Sequence, residues 1–527
     1  MALDQERPLE VELISFGSIS PLSTTSLIFI APAMETALEE LQREPYAGRL
    51  NFAMTIVSNA NGSHLNGNDV PFYSDQMVAN WYYMDRSKTA NVSIIVLPGG
   101  PEDVYINRFA ANWNILFLTC GSIKAVQRNK RISPTWVSTD VYSSPDAARF
   151  YAKVCSLLGW KTLFVLQDKQ ASPVYYAAAG AVIDQFSVTS HYQLTLSVIN
   201  VSSKTEQIES LELFATSGRV LLFFGHAEPF RQFMVTASKM NMTNENFVYI
   251  VLEPFRHNLI GPFSWHRGDQ LDSIAKDAFR SVLFMALDET SGLPGPSEPA
   301  GLRDEWKRRS RFHFNYSYSP GEMFLPHVGT SRYTVHMLAQ MLNESRSMPN
   351  IDYSNGKILA QLMSNRTFTV DGKEIVMDQF GQREMNWTLS YYDNQRGHFQ
   401  VFLLQTGAAS QLAPIARGLW YGRNESFPKN EPRCGYRGNS LECSTNPAGA
   451  PYSQRAIPPS NLATLDEATS KQFNHHIYQV LRPFDVLSSP IAPFEQPGQG
   501  VQYFTGISIL TLTKDAFLGR SVSTIGG

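Results

Sequence analysis

No stretch of the 527 residues approaches the roughly 18 to 20 consecutive apolar residues that a membrane-spanning helix needs; the best runs, such as Val220 to Phe224, suit only a strand. The opening Met-Ala-Leu-Asp-Gln-Glu-Arg has no basic segment followed by an apolar one, so no secretory leader is legible. Charge is scarce: 17% of residues are Asp, Glu, Lys or Arg, against a norm of roughly 25%. The formal net charge of -3 supplies no basic field, which argues against nucleic acid as a partner. The densest basic stretch, Lys307-Arg308-Arg309 with Arg311, lies beside Asp304 and Glu305 and reads as a solvated helix face. Cysteine is scarce too, and four in such a chain do not make a disulfide scaffold. Cys120, after the apolar run Ile115 to Leu118, and Cys155, on an apolar helix face, read as buried thiols. Cys434 and Cys443 sit nine apart in a Gly-rich polar segment and could close a short disulfide loop in an oxidising compartment.

Catalytic signatures are missing as well. Leu97-Pro98-Gly99-Gly100-Pro101-Glu102-Asp103 follows a strand, where a phosphate loop would stand. It lacks the Lys and the Ser/Thr of such a loop, and Glu102 and Asp103 would repel phosphate. No helix carries a zinc-binding His-Glu-x-x-His pair, and the adjacent His475-His476 cannot both face one ion. No Gly-x-Ser-x-Gly elbow occurs. A binding module is therefore expected rather than an enzyme, with no cofactor and no metal.

What is present is a globular composition, 43% hydrophobic and 12% aromatic, in a chain long enough for two domains. Short apolar runs alternate with helical patterns: Val11–Ser15, Leu50–Val57, Val92–Leu97, Ile115–Thr119, Thr162–Gln167, Leu194–Ile199, Arg219–Phe224 and Phe247–Val251. That alternation predicts an α/β fold with parallel sheets. Ser144 reads as an N-cap, Pro145 as the first helical position and Gly159 as a left-handed stop, with Phe150, Val154, Leu157 and Leu158 on one face. Met34, Ala37, Leu38 and Leu41, and likewise Val335, Leu338 and Leu342, have helical spacing. A polar pause from Ile132 to Tyr142 marks passage into a second lobe. A β-rich element follows from Phe368 to Leu404, with turns at Asp371-Gly372, Phe380-Gly381 and Asp393-Asn394. Beyond Cys443, prolines such as Pro447, Pro458, Pro459 and Pro497 suggest a linker or poorly ordered tail.

Two parallel-sheet lobes would form a crevice at the carboxyl ends of their strands. Its candidate ligand-binding residues are Glu102, Gly121 and Ser122 from the first lobe and Asp168, Tyr175, His226 and Glu253 from the second. Nine Asn-x-Ser/Thr sequons, at Asn61, Asn91, Asn200, Asn241, Asn315, Asn343, Asn365, Asn386 and Asn424, are about twice what random placement gives. They suggest a glycosylated, extracellular or cell-surface chain.

Four segments, in order, carry a resemblance. They are Ala31-Pro32-Ala33-Met34-Glu35-Thr36-Ala37-Leu38-Glu39-Glu40-Leu41; Gly100-Pro101 through Arg108-Phe109-Ala110-Ala111-Asn112-Trp113-Asn114-Ile115 to Leu118-Thr119-Cys120-Gly121; Asn365-Arg366-Thr367-Phe368 with Val376-Met377-Asp378-Gln379-Phe380-Gly381-Gln382-Arg383; and Pro432-Arg433-Cys434-Gly435-Tyr436 with Cys443. From about Val11 to Cys443 the chain resembles the receptor-family ligand-binding region, a type I periplasmic-binding-protein-like fold found in natriuretic peptide receptors and receptor guanylate cyclases. The resemblance implies a region over 8–443: lobe 1 about 8–137 and 253–365, lobe 2 about 138–252 and 366–415, a juxtamembrane-like loop 416–443, then the tail 444–527. It also implies a homodimer that binds a peptide or small-molecule ligand, signals by lobe or dimer rearrangement, and meets a membrane only through segments missing from this chain. The soluble alternatives are an amino-acid-like ligand carrier or a secreted decoy. Where the family often has a Gly-Cys pair for a chloride site and a disulfide, this chain has Glu102-Asp103, so neither is carried over. No spanning helix or cyclase follows the Cys434 loop, so the chain is not expected to cyclise GTP.

Overall fold

The computed structural model describes residues 7–436 apart from 20, 22–24, 44–45, 47, 59–75, 100–102, 122–124, 189–190, 289–297, 394–395, 408–410, 419 and 422–425. The chain runs β1 (Leu9–Gly17), α1 (Leu27–Arg43), β2 (Leu50–Ser58), a π-helical turn (Trp81–Asp85), β3 (Val92–Leu97), α2 (Asp103–Trp113), β4 (Leu116–Thr119) and β5 (Trp136–Ser138). It continues through α3 (Ser144–Leu158), β6 (Thr162–Asp168), α4 (Pro173–Ser187), β7 (Gln193–Ile199), α5 (Lys204–Ser217), β8 (Val220–Phe224), α6 (Ala227–Lys239), β9 (Val248–Glu253), α7 (Asp272–Ala278) and β10 (Val282–Leu287). Then come α8 (Ala300–Phe314), α9 (Pro326–Ser345), α10 (Gly356–Met363), β11 (Arg366–Val370), β12 (Lys373–Met377), β13 (Trp387–Asp393), β14 (His398–Gln405) and β15 (Ala413–Pro414).

The strands make two sheets and a hairpin. One sheet has the order β2-β1-β3-β4-β5, all parallel; the other has the order β15-β14-β13-β10-β9-β8-β6-β7. In the second, β7 through β10 are parallel, and β13 to β15 extend it in antiparallel fashion. Helices on both faces explain the continuous apolar strands: every residue of β3, β4, β6 and β8 is buried, whereas edge strand β7 is largely half exposed. The two-lobed α/β class read from the sequence is the observed one.

The structure corrects several local readings. The N-cap of α3 is Ser143, not Ser144: its Oγ accepts the Asp146 N–H, and Pro145 follows in the first turn. Gly159 takes φ 71° at the other end, as read. The second lobe extends further than 252, because β10 pairs with β9 over Val282–Ala286 and returns the chain to the first lobe only afterwards. The hairpin β11–β12 packs on first-lobe α9. Its turn is Asp371-Gly372, both at positive φ.

The basic stretch on α8 is only partly a solvated face. Arg308 and Lys307 are exposed, but Trp306, Arg309 and Ser310 are buried against α1. Pro32 within α1 has no N–H to offer the Ile28 carbonyl one turn back, and Ser310 Oγ donates to that oxygen at 2.8 Å. Trp306 Nε1 donates to Thr36 Oγ1 at 2.9 Å, and Arg309 bonds Glu39, Glu35 and Glu305.

After β15 the chain lies along the amino ends of the second-lobe strands. Trp420 Nε1 donates to Glu245 O and Tyr421 Oη to Thr243 O, both just before β9. Trp160 Nε1 donates to Pro428 O, and Asn430 Oδ1 accepts the N–H groups of Lys161 and Thr162 at the start of β6. Arg219 reaches the Tyr436 carbonyl and lies over the Tyr436 ring. The last described residues are thus fastened to the pole of the second lobe opposite the carboxyl strand ends. Cys434 is disulfide-bonded, whereas Cys120 and Cys155 are buried, the Cys120 thiol lying 3.2 Å from the Leu97 carbonyl oxygen. Cys443 and the predicted tail lie outside the described residues.

Candidate functional site

The expected crevice walls are the loops at the carboxyl ends of the parallel strands in both sheets. In the first lobe, the loops after β3 and β4 touch: Gly99 is at φ 110°, and a Cβ on Gly121 would overlap the Pro98 carbonyl oxygen. Gly121 is therefore a close-approach residue that lets two loops meet. Glu102 and Ser122 lie outside the described residues.

In the second lobe, Asp168, Tyr175, His226 and Glu253 come together, each in a different role. Asp168 is buried, and its Oδ1 accepts the N–H groups of Gln170 and Val201, tying the loops after β6 and β7. Tyr175 is fully buried: its hydroxyl donates to Leu252 O at 3.3 Å, and its ring meets the His226 ring edge-on. Burial, aided by Glu253, raises the Tyr175 phenol well above its usual range. Glu253 ends β9, mostly buried, with Arg256 Nε 3.6 Å away.

His226 is half-buried and faces a residue that the sequence reading missed, Ser172. The Ser172 N–H donates to His226 Nε2 at 3.2 Å, so this nitrogen is an acceptor; Ser172 Oγ lies 3.1 Å from it. Burial lowers the His226 pKa from 6.5 against the opposing pull of Asp168, in keeping with a neutral ring. Ser172 and His226 are the N-caps of α4 and α6, and neither side chain caps its own helix. Two helix amino termini therefore point at one spot flanked by the carboxylates of Asp168 and Glu253. The signal for Ser172 was present as Ser-Pro after a strand, a helix-start pattern.

The lobes are joined through a buried hinge. Ser138 N donates to Gly381 O and Arg383 N to Ser138 O, both at 2.8 Å, so the crossings after β5 and β12 run side by side. Arg128, in the short helix Ala125–Arg128, donates to Gln382 Oε1 at 2.6 Å and pairs with Asp378 at 2.5 Å. Gln382 reaches on to Asp146 in α3. No cluster of His, Cys, Asp and Glu among the described residues could hold a metal ion.

Residues 30–391 match the family described as the receptor family ligand binding region. The chain belongs to this family. Among its relatives, atrial natriuretic peptide receptor 2 of Rattus norvegicus is 22% identical over 369 residues, covering 66% of this chain and 34% of the receptor. Atrial natriuretic peptide receptor 3 of Bos taurus is 24% identical over 281 residues, covering 50% of this chain and 48% of the receptor. A different likeness occupies the C-terminal part. Residues 438–520 match the family described as Tuberculosis necrotizing toxin. The conidial surface nicotinamide adenine dinucleotide glycohydrolase nadA of Aspergillus fumigatus is 49% identical over 75 residues, 14% of this chain and 31% of that protein. The chain thus spans about a third to a half of the length of these relatives. The sequence reading took 444–527 for a linker or poorly ordered tail because Pro and Gly content does not distinguish a spacer from part of a domain.

The described sequon asparagines have structural occupations. Asn241, Asn315 and Asn365 sit at φ 53–58°, where Asn is favoured over other side chains. Asn91 Oδ1 accepts Glu10 N–H, Asn200 Oδ1 accepts Ser202 N–H, Asn386 Oδ1 accepts Gly407 N–H, and Asn343 Oδ1 takes a bond from Arg49. Part of the excess over chance follows from turns and caps. Asn61 and Asn424 lie outside the described residues. No helix among the described residues is long and apolar enough to cross a membrane.

Proposed function

We propose that this chain is the ligand-binding region of an extracellular or cell-surface receptor of the natriuretic peptide receptor type, in which a ligand biases the arrangement of the two lobes or of two protomers. The observation that carries this is the family match over residues 30–391, on an α/β architecture of two sheets, one parallel and one mixed. The ligand is a peptide held between protomers or a small molecule held in the crevice. The second wall favours a small ligand with an anionic group, since the helix termini at Ser172 and His226 suit an anion. Calorimetry with free amino acids and with natriuretic-type peptides, on the native chain and on Ser172→Ala and His226→Ala, separates these. Crevice binding should weaken at least tenfold in both variants, and peptide binding between protomers should not change while sedimentation shows a dimer. Absence of binding by either class would sink the reading.

A second reading rests on the C-terminal likeness: residues 438–520 contribute an NAD-cleaving part, in which water replaces nicotinamide on the ribose to leave ADP-ribose, nicotinamide and a proton. Incubating the full chain with NAD and resolving nicotinamide by chromatography tests it. Catalytic release supports it, and no release with enzyme in stoichiometric amount overturns it.

A further inference from the structure

The crevice is bridged at one side. The loop 254–261 leaves β9 of the second lobe, and the segment 316–325 leads into α9 of the first; the two meet at His257. Its Nε2 lies 3.1 Å from the Met323 carbonyl oxygen, and its Nδ1 accepts the Leu259 N–H at 3.2 Å. Beside it, Asn258 Nδ2 donates to Gly321 O at 3.3 Å. The Phe255 ring packs edge-on against His327 of α9, whose Nδ1 is 3.1 Å from Asp140 Oδ1 in the hinge.

These two bonds fix one tautomer. A carbonyl oxygen can only accept, so Nε2 carries the proton; an amide N–H can only donate, so Nδ1 carries none. A proton added at Nδ1 would face the Leu259 N–H, replacing that bond by a repulsion that turns the ring away from Met323, while the backbone bonds from Ile260 and Gly261 to the His257 carbonyl keep the turn itself. We propose that His257 is a pH-sensitive latch between the lobes, holding the crevice closed while neutral and releasing it when protonated.

The charged groups around the ring agree with that direction. Burial is the largest influence and lowers the His257 pKa from 6.5; His327 lowers it further, while the Met323 carbonyl and Glu322 pull upward without reversing the sign. Glu322 is already bonded to Tyr316 Oη and Ser319 N–H. On its own loop, Arg256 is exposed and lies beside Glu253. From the hinge, Asp140 faces His327 rather than His257. The closed form binds fewer protons at His257 than the open form. The contribution of His257 to closure is therefore fully present above about pH 6.5 and is lost as pH falls below it.

The test is single-molecule energy transfer between dyes at Lys88→Cys in the first lobe and Glu209→Cys in the second, both exposed positions. The full chain is measured at pH 7.5 and 5.5, with circular dichroism confirming the folded signal at each. Native His257 should lose transfer efficiency at pH 5.5, reversibly. In His257→Gln, whose amide supplies a donor and an acceptor without titrating, the two pH values should give one efficiency. Equal efficiencies for the native chain, or a pH-dependent loss that survives in His257→Gln, would overturn the proposal.

Discussion

A ligand crevice makes demands on single residues that look like ligand contacts in a sequence and turn out to be geometry. At Gly121 a methyl group would collide with the Pro98 carbonyl, and at Gly99 with the backbone of Gly121. Gly121→Ala should therefore destabilise the chain by about 1–3 kcal/mol, measured by urea unfolding, and it should do so without ligand. Asp168 makes the complementary case. Its carboxylate holds the buried Val201 N–H, so Asp168→Ala should cost about 1–3 kcal/mol in stability, whereas Asp168→Asn, which keeps an acceptor oxygen, should cost less than half of that. If the two variants unfold alike and differ only in ligand affinity, Asp168 is a binding residue rather than an organiser of the wall.

At the scale of elements, α8 shows how a short polar helix is positioned by specific bonds. Three residues on one of its faces meet α1: Trp306 at Thr36, Arg309 at Glu35 and Glu39, and Ser310 at the carbonyl freed by Pro32. Trp306→Ala should cost about 3–5 kcal/mol. Glu305, bonded first by Arg308 and then by Arg309, has its pKa lowered from 4.5 to about 2. Because the folded value is the lower one, its contribution is present above pH 4.5 and is lost as pH falls from there toward 2. The acid limb of native stability should accordingly flatten in Glu305→Gln between those values, and a limb of unchanged slope would refute this tie. The sequence exposed strands such as β3 and β8 because full burial leaves nothing but apolar residues in them. It did not expose β5, where Trp136–Ser138 pairs with β4 in a polar stretch too short for any period. Nor did it reveal that β10 belongs to the second sheet, since partner choice is set by sheet order rather than local composition. Of the candidate site, the proximity of Asp168, Tyr175, His226 and Glu253 was legible because all four lie at or soon after the carboxyl ends of neighbouring parallel strands. The hinge was not, because Asp140, Gln382 and Arg383 are polar residues buried by distant contacts.

For the molecule as a whole, the lobes share a core although they are built on separate sheets. One apolar cluster runs from Val11, Ala33 and Leu338 of the first lobe through Val141 and Tyr142 in the hinge to Leu222 and Trp387 of the second. Apolar contact that continuous opposes unfolding one lobe alone. Hydrogen exchange under native conditions tests this. The amides of Ile94 in β3 and Leu222 in β8 should open with the same free energy, within about 1 kcal/mol. Trp306→Ala, which touches only the first lobe, should lower both values together. Lowering Ile94 alone would mean that the lobes unfold independently, and a ligand that closes the crevice would then stabilise them by binding rather than by shifting a cooperative unit.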